Sequence, residues 1–188
     1  MKRAIALGTF DGVHIGHRAI INAAIDKAAE LDMEPMIYTF TAHPMALFGK
    51  RPPLLMTQSE RMAALGGMGC TLSADEFSAE YAATEPEQFI KMLIERFNMG
   101  CAVAGFNYTF GRRGEGSVEL IKKLGEKYGF AVEIVPPVMY KGEAVSSTRI
   151  RACLEAGRVK DAGEMLGAPY SITGPVIRNR GIGRTLDY

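Results

Sequence analysis

Apolar runs alternate along the chain with segments of helical periodicity. Residues 3–7 form a short apolar run that ends at Gly8, which predicts a β-strand. In residues 16–31 the apolar positions recur every three or four residues with charged positions between them, which predicts an amphipathic helix. Similar patterns predict strands at residues 35–40, 101–104 and 130–135. They also predict helices after Thr57, from Pro86, from Ser117 to Tyr128, and at residues 148–156 and 159–166.

Strands that alternate with helices are typical of an α/β protein with a parallel sheet covered on both faces. In such sheets ligands bind beyond the carboxyl ends of the strands. We therefore expect the loops after Gly8, Phe40, Ala104 and Val135 to converge. Residues 41–56 contain three prolines and no periodicity, which predicts a long loop of the kind that often carries function.

Composition and charge narrow the class of protein. The chain has 188 residues, of which 47% are hydrophobic and 23% charged, and this excludes disordered and fibrous classes. Because the net charge is only +1, we expect no nucleic acid partner. No apolar run approaches the roughly 18 residues of a membrane span, so we expect a cytoplasmic protein without a membrane partner. The three cysteines lack Cys-x-x-Cys spacing, which is typical of reduced thiols.

The segment after the first strand, GTFDGVHIGH at residues 8–17, carries the first candidate chemistry. His14 and His17 are three positions apart, so at a helix start both imidazoles lie on one face. Small residues such as Gly8 let backbone N–H groups approach an anion, and a helix N-terminus adds a positive dipole end. The segment therefore predicts a phosphate site, whereas an isolated His-x-x-His pair is more often a cap or surface feature.

Residues 8–17 resemble the signature of the HxGH nucleotidyltransferase superfamily and, over their full length, that of its FAD synthetase (FMN adenylyltransferase) family. The resemblance implies a Rossmann-like nucleotidyltransferase fold, with a parallel sheet and helices on both faces. It also implies that His14 and His17 are catalytic. The residues that the resemblance assigns to ATP and its phosphates in this segment are Gly8, Thr9, Phe10 and Gly16.

Two further segments resemble the flavin-binding motifs of the same family. Residues 40–44, FTAHP, resemble F-x-P-H-P, with Ala42 in place of a proline that would restrict the loop backbone. Residues 105–111, GFNYTFG, are similar to G-x-[DN]-F-x-F-G, whose aromatic and amide groups suit a flat apolar ring with polar edges. The resemblance implies that FMN is contacted by His43, Pro44, Asn107 and Phe110. We add Phe48, from the long loop, to these expected contacts.

The segment SSTRIR at residues 146–151 matches the superfamily motif S-S-T-x-I-R. Hydroxyls and free N–H groups at a helix start bind phosphate oxygens, and an arginine three residues later lies on the same face. The resemblance implies that Arg151 is catalytic and offsets charge on departing pyrophosphate. It implies phosphate contacts from Ser146, Ser147 and Thr148. We expect Mg²⁺ to be held mainly by phosphates, with no dedicated protein ligands.

The motifs lie within residues 1–168, which we predict to be an FMN adenylyltransferase domain. Residues 169–188 resemble the start of the riboflavin kinase module of bacterial bifunctional enzymes, which predicts a short C-terminal β segment. The family's next motif, G-F-P-T, does not occur before the chain ends at Asp187 and Tyr188, so kinase activity is not predicted for this chain.

The expected reaction is transfer of AMP from ATP to FMN, which gives FAD and pyrophosphate. Two alternatives stay open at this point. A related nucleotidyltransferase with another acceptor, such as a cytidylyltransferase, would share the first and fourth motifs. A non-catalytic flavin- or nucleotide-binding regulator would share the pocket without turnover.

Overall fold

A parallel sheet of five strands forms the centre of the computed structural model, which describes residues 1–49 and 52–175. The sheet order is β3-β2-β1-β4-β5, and every neighbouring pair is parallel. This confirms the predicted α/β fold. The strands are β1 (Arg3–Leu7), β2 (Glu34–Phe40), β3 (Thr71–Asp75), β4 (Met99–Gly105) and β5 (Ala131–Val135).

The helices and the small hairpin complete the fold. The predicted helices are all present. Three features were not predicted: β3, the short helix α3 (Ala79–Ala82), and the hairpin of β6 (Met139–Tyr140) and β7 (Glu143–Ala144). β3 is a partly exposed edge strand and α3 spans a single turn, so neither has a long apolar pattern. The helices are α1 (Ile15–Glu30), α2 (Gln58–Gly66), α3 (Ala79–Ala82), α4 (Pro86–Phe97), α5 (Val118–Tyr128), α6 (Ser147–Glu155) and α7 (Val159–Leu166); the hairpin strands are β6 (Met139–Tyr140) and β7 (Glu143–Ala144).

Both faces of the sheet are covered by helices. Along β1, Ile5 and Leu7 face the apolar cluster that contains buried residues of α4 and α5. Ala4 and Ala6 face the opposite cluster, which contains buried residues of α1. Side chains alternate between the two faces of a strand, so this pattern fixes one helix layer on each side of β1.

The position of β1 between β2 and β4 creates a crevice. The chain passes from β1 through α1 to β2 on one side, and β4 pairs with β1 on the other side. Loops that follow β1 and β4 therefore leave the sheet in opposite directions at the same edge, which is where ligands bind in open parallel sheets.

The helix α2 begins at the predicted capping box. The Thr57 hydroxyl accepts from Glu60 N at 3.3 Å, and the Glu60 carboxylate accepts from Thr57 N at 2.7 Å. Both contacts satisfy backbone donors that a helix start leaves without partners. The cap fixes where the helix starts and therefore which of its side chains point towards the sheet.

Other expectations concern the cysteines and the chain end. All three cysteines are free, and Cys101 and Cys153 are buried. Residues 169–175 have no regular secondary structure, and the rest of the predicted C-terminal β segment lies outside the described residues. Among the residues that the structure describes, no helix is long and apolar enough to cross a bilayer.

Removing the cap of α2 is expected to destabilise the protein. Thr57→Ala should lower the free energy of unfolding by about 1 kcal/mol, because it deletes the side-chain acceptor at the helix start. Thr57→Ser keeps the hydroxyl and should cost much less. Urea unfolding of both variants tests this, and equal losses in the two variants would contradict the capping role.

Candidate active site

Two adjoining cavities lie at the carboxyl edge of the sheet. The first, of about 390 Å³, is lined by the loops after β1, β4 and β5 and by the start of α6, and we name it the polar cavity. The second, of about 460 Å³, is lined largely by aromatic side chains of β2, α3, α4 and the loops after β2 and β4, and we name it the aromatic cavity. The residues that line both cavities are Gly8, Thr9, His43, Tyr108 and Thr109.

His14 and His17 lie against each other on the wall of the polar cavity. His14 is the N-cap of α1, and its Nδ1 accepts from His17 N at 3.2 Å. The ring centroids are 3.5 Å apart in a stacked arrangement. Because Nδ1 of His14 accepts, a neutral His14 carries its proton on Nε2, which is then a donor. Nδ1 of His17 is buried and has no hydrogen-bond partner among the described residues.

The electrostatics of the pair favour neutral imidazoles. Burial lowers the pKa of His14 to about 4. Burial also lowers the pKa of His17 well below its usual range, and the charges of His14 and Arg61 act in the same direction. Both rings are therefore neutral at pH 7 and contribute N–H dipoles instead of a full positive charge.

Close packing explains the small residues around the histidines. Phe10 is fully buried, and its ring meets the His17 ring edge-on at 5.4 Å between centroids. A Cβ at Gly8 would lie 2.9 Å from the Phe10 ring, and a Cβ at Gly16 would lie 3.2 Å from the His14 ring. Glycine at these positions thus permits the aromatic stack beneath the cavity. Gly8, Phe10 and Gly16 all line the polar cavity, as does Thr9.

The start of α6 is attached directly to the loop after β1. Ser147 Oγ donates to the carbonyl oxygen of Asp11 at 2.9 Å, and Ser146 Oγ caps the helix by accepting from Arg149 N at 3.2 Å. Ser146, Ser147 and Thr148 line the polar cavity together with residues from the first turn of α1. Two helix N-termini therefore face one cavity, and both favour bound anions.

Arg151 is held in place by an ion pair at the cavity wall. Its Nη1 lies 2.8 Å from Asp11 Oδ2, and its Nη2 donates to Thr148 Oγ1 at 3.4 Å. Asp11 is buried, and its other oxygen accepts from Leu55 N at 3.1 Å. Asp11 therefore fixes the Arg151 guanidinium while leaving it on the cavity lining.

Aromatic rings form the walls of the second cavity. Phe110 is buried and stacks on Tyr108, with centroids 5.7 Å apart, and it is tilted against Phe89 at 5.6 Å. Phe48 lines the same cavity and is 57% exposed, which indicates a position near its mouth. The cavity is therefore flat-sided and apolar, as an aromatic ring system requires.

The remaining predicted residues lie around these walls. His43 and Pro44 line the aromatic cavity, and the His43 Nδ1 accepts from Met45 N at 3.2 Å. Asn107 lines the polar cavity, one residue before Tyr108, which belongs to both. Its amide therefore lies on the polar side of the boundary between the cavities.

The sequence did not indicate several lining residues. The lining of the aromatic cavity includes four such rings: Tyr38 of β2, Phe89 of α4, Tyr81 of α3 and Phe77, which precedes α3. The sequence pattern predicts that Tyr38 and Phe89 are core residues. Phe77 and Tyr81 follow β3, the strand that was not predicted. The polar cavity also includes the hairpin segment around Val138 and Val145. If β3 had been predicted, the residues that follow it, Phe77 and Tyr81, would have been expected at the carboxyl edge of the sheet, beside the other loops.

Comparison with known proteins identifies the family of the chain. A sequence model described as FAD synthetase matches residues 1–149. The chain belongs to the FAD synthetase family. It is 35% identical to the bifunctional riboflavin kinase/FMN adenylyltransferase of Bacillus subtilis, covering 100% of this chain and 60% of that protein. It is 33% identical to the FAD synthetase of Listeria monocytogenes, covering 92% of this chain and 71% of the relative.

The FAD synthetase fold is also found among solved structures. A crystal structure described as a macrolide-efflux protein from Streptococcus pneumoniae has a TM-score of 0.87 and 32% identity, covering 100% of this chain and 62% of that one. The similarity confirms the fold. A second bifunctional relative, the riboflavin kinase/FMN adenylyltransferase of Listeria monocytogenes, is covered over 61% of its length. The chain therefore spans about 60% of the length of these bifunctional relatives.

The histidine pair should titrate at unusually low pH. In NMR spectra, the His14 imidazole is expected to titrate with a midpoint of about 4 instead of 6.5, because burial disfavours the charged ring. Only three histidines are present, so their signals are readily assigned with a His14→Gln variant. A His14 midpoint near 6.5 would contradict the buried, neutral pair.

The same shift affects stability. Below pH 6.5 the unfolded chain takes up protons that folded His14 does not, so the free energy of unfolding should fall between pH 6.5 and about 4. The His14→Gln variant should show a shallower fall in that window.

Proposed function

We propose that this protein transfers AMP from ATP to FMN and releases FAD and pyrophosphate. One observation carries the proposal: a cavity faced by two helix N-termini and an arginine adjoins a cavity walled by aromatic rings. The first suits phosphates and the second suits a flat ring system. The shared lining at Thr9 and His43 is where the phosphate of FMN would meet the α-phosphate of ATP.

The isoalloxazine ring of FMN is proposed to occupy the aromatic cavity. Phe110 and Phe48 provide apolar faces, with His43 and Pro44 on the loop side. Asn107 lies on the polar side of the boundary and is proposed to bind a polar edge of the flavin or its phosphate. Arg113 also lines this cavity, whereas Arg112 is paired with Glu85 at 3.0 Å, which favours Arg113 as the anion-facing residue.

The triphosphate of ATP is proposed to lie in the polar cavity. Backbone N–H groups and hydroxyls at the two helix starts would bind its oxygens. Arg151, held by Asp11, would offset charge on the pyrophosphate end. The proposed contacts are Gly8, Thr9, Phe10, Gly16, Ser146, Ser147 and Thr148.

The proposed chemistry needs positioning more than a base. The second pKa of a phosphate monoester is about 6, so the FMN phosphate is already ionised at neutral pH. One of its oxygens forms a bond to the α-phosphorus of ATP as the bond to the pyrophosphate oxygen breaks in line. Neutral His14 and His17 would donate hydrogen bonds to the charge that develops on the departing group.

Mg²⁺ is proposed to accompany the nucleotide. Asp11 is the only acidic residue among the described residues of the polar cavity, and both of its oxygens already accept hydrogen bonds. Phosphate oxygens and water therefore suit the ion better than a protein cage, in line with the chemistry of Mg²⁺. When bound, the ion would offset negative charge on the triphosphate.

The organisation of the chain follows from the same proposal. Residues 1–168 are proposed to be the adenylyltransferase domain, which is supported by the family match over residues 1–149. Residues 169–188 are proposed to begin a second, kinase-like module. We also propose a cytoplasmic location, in line with three free thiols, and no nucleic acid or membrane partner, in line with the near-zero net charge.

Turnover is the direct test of the proposed function. The protein with FMN, ATP and Mg²⁺ should form FAD and pyrophosphate, and His17→Ala should lower kcat by on the order of 10²-fold, because it removes a hydrogen bond to the departing group. Asn22→Ala, on the exposed face of α1, is the matched control and should leave kcat unchanged. Turnover with CTP and a phosphorylated alcohol but none with FMN would contradict the proposal, and FMN binding without turnover would indicate a regulator.

The aromatic cavity provides a separate test. Phe48→Ala should weaken FMN binding, measured by quenching of flavin fluorescence, by about tenfold, because an aromatic contact is lost. Leu47→Ala is the control, since Leu47 is 42% exposed and is not among the residues that line the cavity. Equal effects of the two substitutions would place the flavin elsewhere.

A further inference from the structure

Arg61, on the inner face of α2, has a buried guanidinium that belongs to none of the family motifs quoted above. The residue is only 5% exposed. Nη1 donates to the carbonyl oxygen of Thr9 and to Thr39 Oγ1, the latter at 3.3 Å. Nη2 donates to the carbonyl oxygens of Phe40 and Thr41 and to Gln58 Oε1, the last at 2.9 Å. The fork therefore holds several acceptors, and three of them are backbone carbonyls.

These carbonyls belong to two different loops of the active site. Thr9 lies in the loop after β1, which carries the histidine pair, and it lines both cavities. Phe40 is the last residue of β2 and Thr41 begins the loop after it. That loop reaches His43 two residues after Thr41, and His43 also lines both cavities. One rigid guanidinium thus links the two loops beside the boundary of the cavities.

The hydrogen-bond partners of Arg61 are neutral, so none of them offsets its positive charge, which lies near the boundary between the cavities. The described residues give it no ion pair, and the buried carboxylate of Asp11 is paired with Arg151 instead. Burial lowers the pKa of Arg61 and the charge of Asp11 acts in the opposite direction, but an arginine stays protonated. A buried charge without a carboxylate partner costs stability, and this cost is offset by the hydrogen bonds to carbonyls.

We propose that Arg61 is a positioning residue for adenylyl transfer. It holds the loop after β1, proposed to bind ATP, and the loop after β2, proposed to bind FMN, at a fixed separation. This inference rests on the proposed function of the site. Each substrate binds mainly to its own cavity, whereas in-line attack requires the two reacting groups to be aligned. A misplacement of about 1 Å can cost 10²-fold in rate, so loss of the link should affect the chemical step more than binding.

Lysine is the informative replacement at this position. Arg61→Lys keeps the positive charge but has one ammonium group in place of a planar fork that reaches both loops. We expect kcat to fall by at least about tenfold while KM for ATP and KM for FMN each change by less than about threefold.

The matched control is Arg3→Lys. Arg3 is partly buried at the opposite end of β1, where it pairs with Glu34 at 3.3 Å and donates to the carbonyl oxygen of Phe97. The same exchange of side chains there should leave kcat unchanged. Thr39→Val, which removes one acceptor of the fork, is a milder second variant and should lower kcat severalfold.

Hydrogen exchange tests the link without relying on turnover. In Arg61→Lys, amides of residues 8–17 and 40–46 should both exchange faster than in the unsubstituted protein, whereas α5 should be unchanged. Faster exchange throughout the protein would indicate a purely structural role and overturn the proposal, as would an unchanged kcat or a loss confined to KM. If the unsubstituted protein forms no FAD, the proposed function fails, but hydrogen exchange still tests the link between the loops. Faster exchange confined to the two loops in Arg61→Lys would support the link, and unchanged exchange would overturn it.

Discussion

The parallel pairing of β1 with both β2 and β4 is the constraint on which the rest of the structure depends. Parallel strands end at the same edge of a sheet, so the loops after β1, β2, β4 and β5 all reach one side of the molecule. Because β1 and β4 are neighbours in the sheet but not in the chain, the segments that follow them leave the sheet in opposite directions. The crevice lies between the loops after these two strands. Ser147 and Arg61 then attach α6 and α2 to the loop after β1, each through a backbone carbonyl.

The electrostatics of this edge suit anionic substrates. The histidine rings are neutral because they are buried, so the positive charge that faces the cavities comes from Arg151, Arg113 and two helix starts. Arg151 is paired with Asp11, whereas Arg61 is surrounded by neutral acceptors. Arg61 lines neither cavity, so its charge acts on the site from behind the two loops that it links.

Much of the fold follows from local patterns that are visible in the sequence. The structure contains four elements that local patterns predict: the apolar run of β1, the periodicity of α1, Pro86 at the start of α4 and the capping box of α2 at Thr57. The edge strand β3 and the single-turn helix α3 have no such pattern, since partial burial leaves little contrast between apolar and polar positions. The aromatic walls from Phe77 and Tyr81 were missed for that reason.

The sequence by itself determined the family and predicted many of the residues that line the two cavities, because the motifs at residues 8–17, 40–44, 105–111 and 146–151 are each local. The tertiary structure alone decided which groups meet. Asp11 and Arg151 are 140 residues apart, and their pairing depends on where α6 packs against the loop after β1. On an amphipathic helix such as α2, an arginine reads as an exposed charge; strand order buries Arg61 instead, because it brings the carbonyls of two loops to one guanidinium.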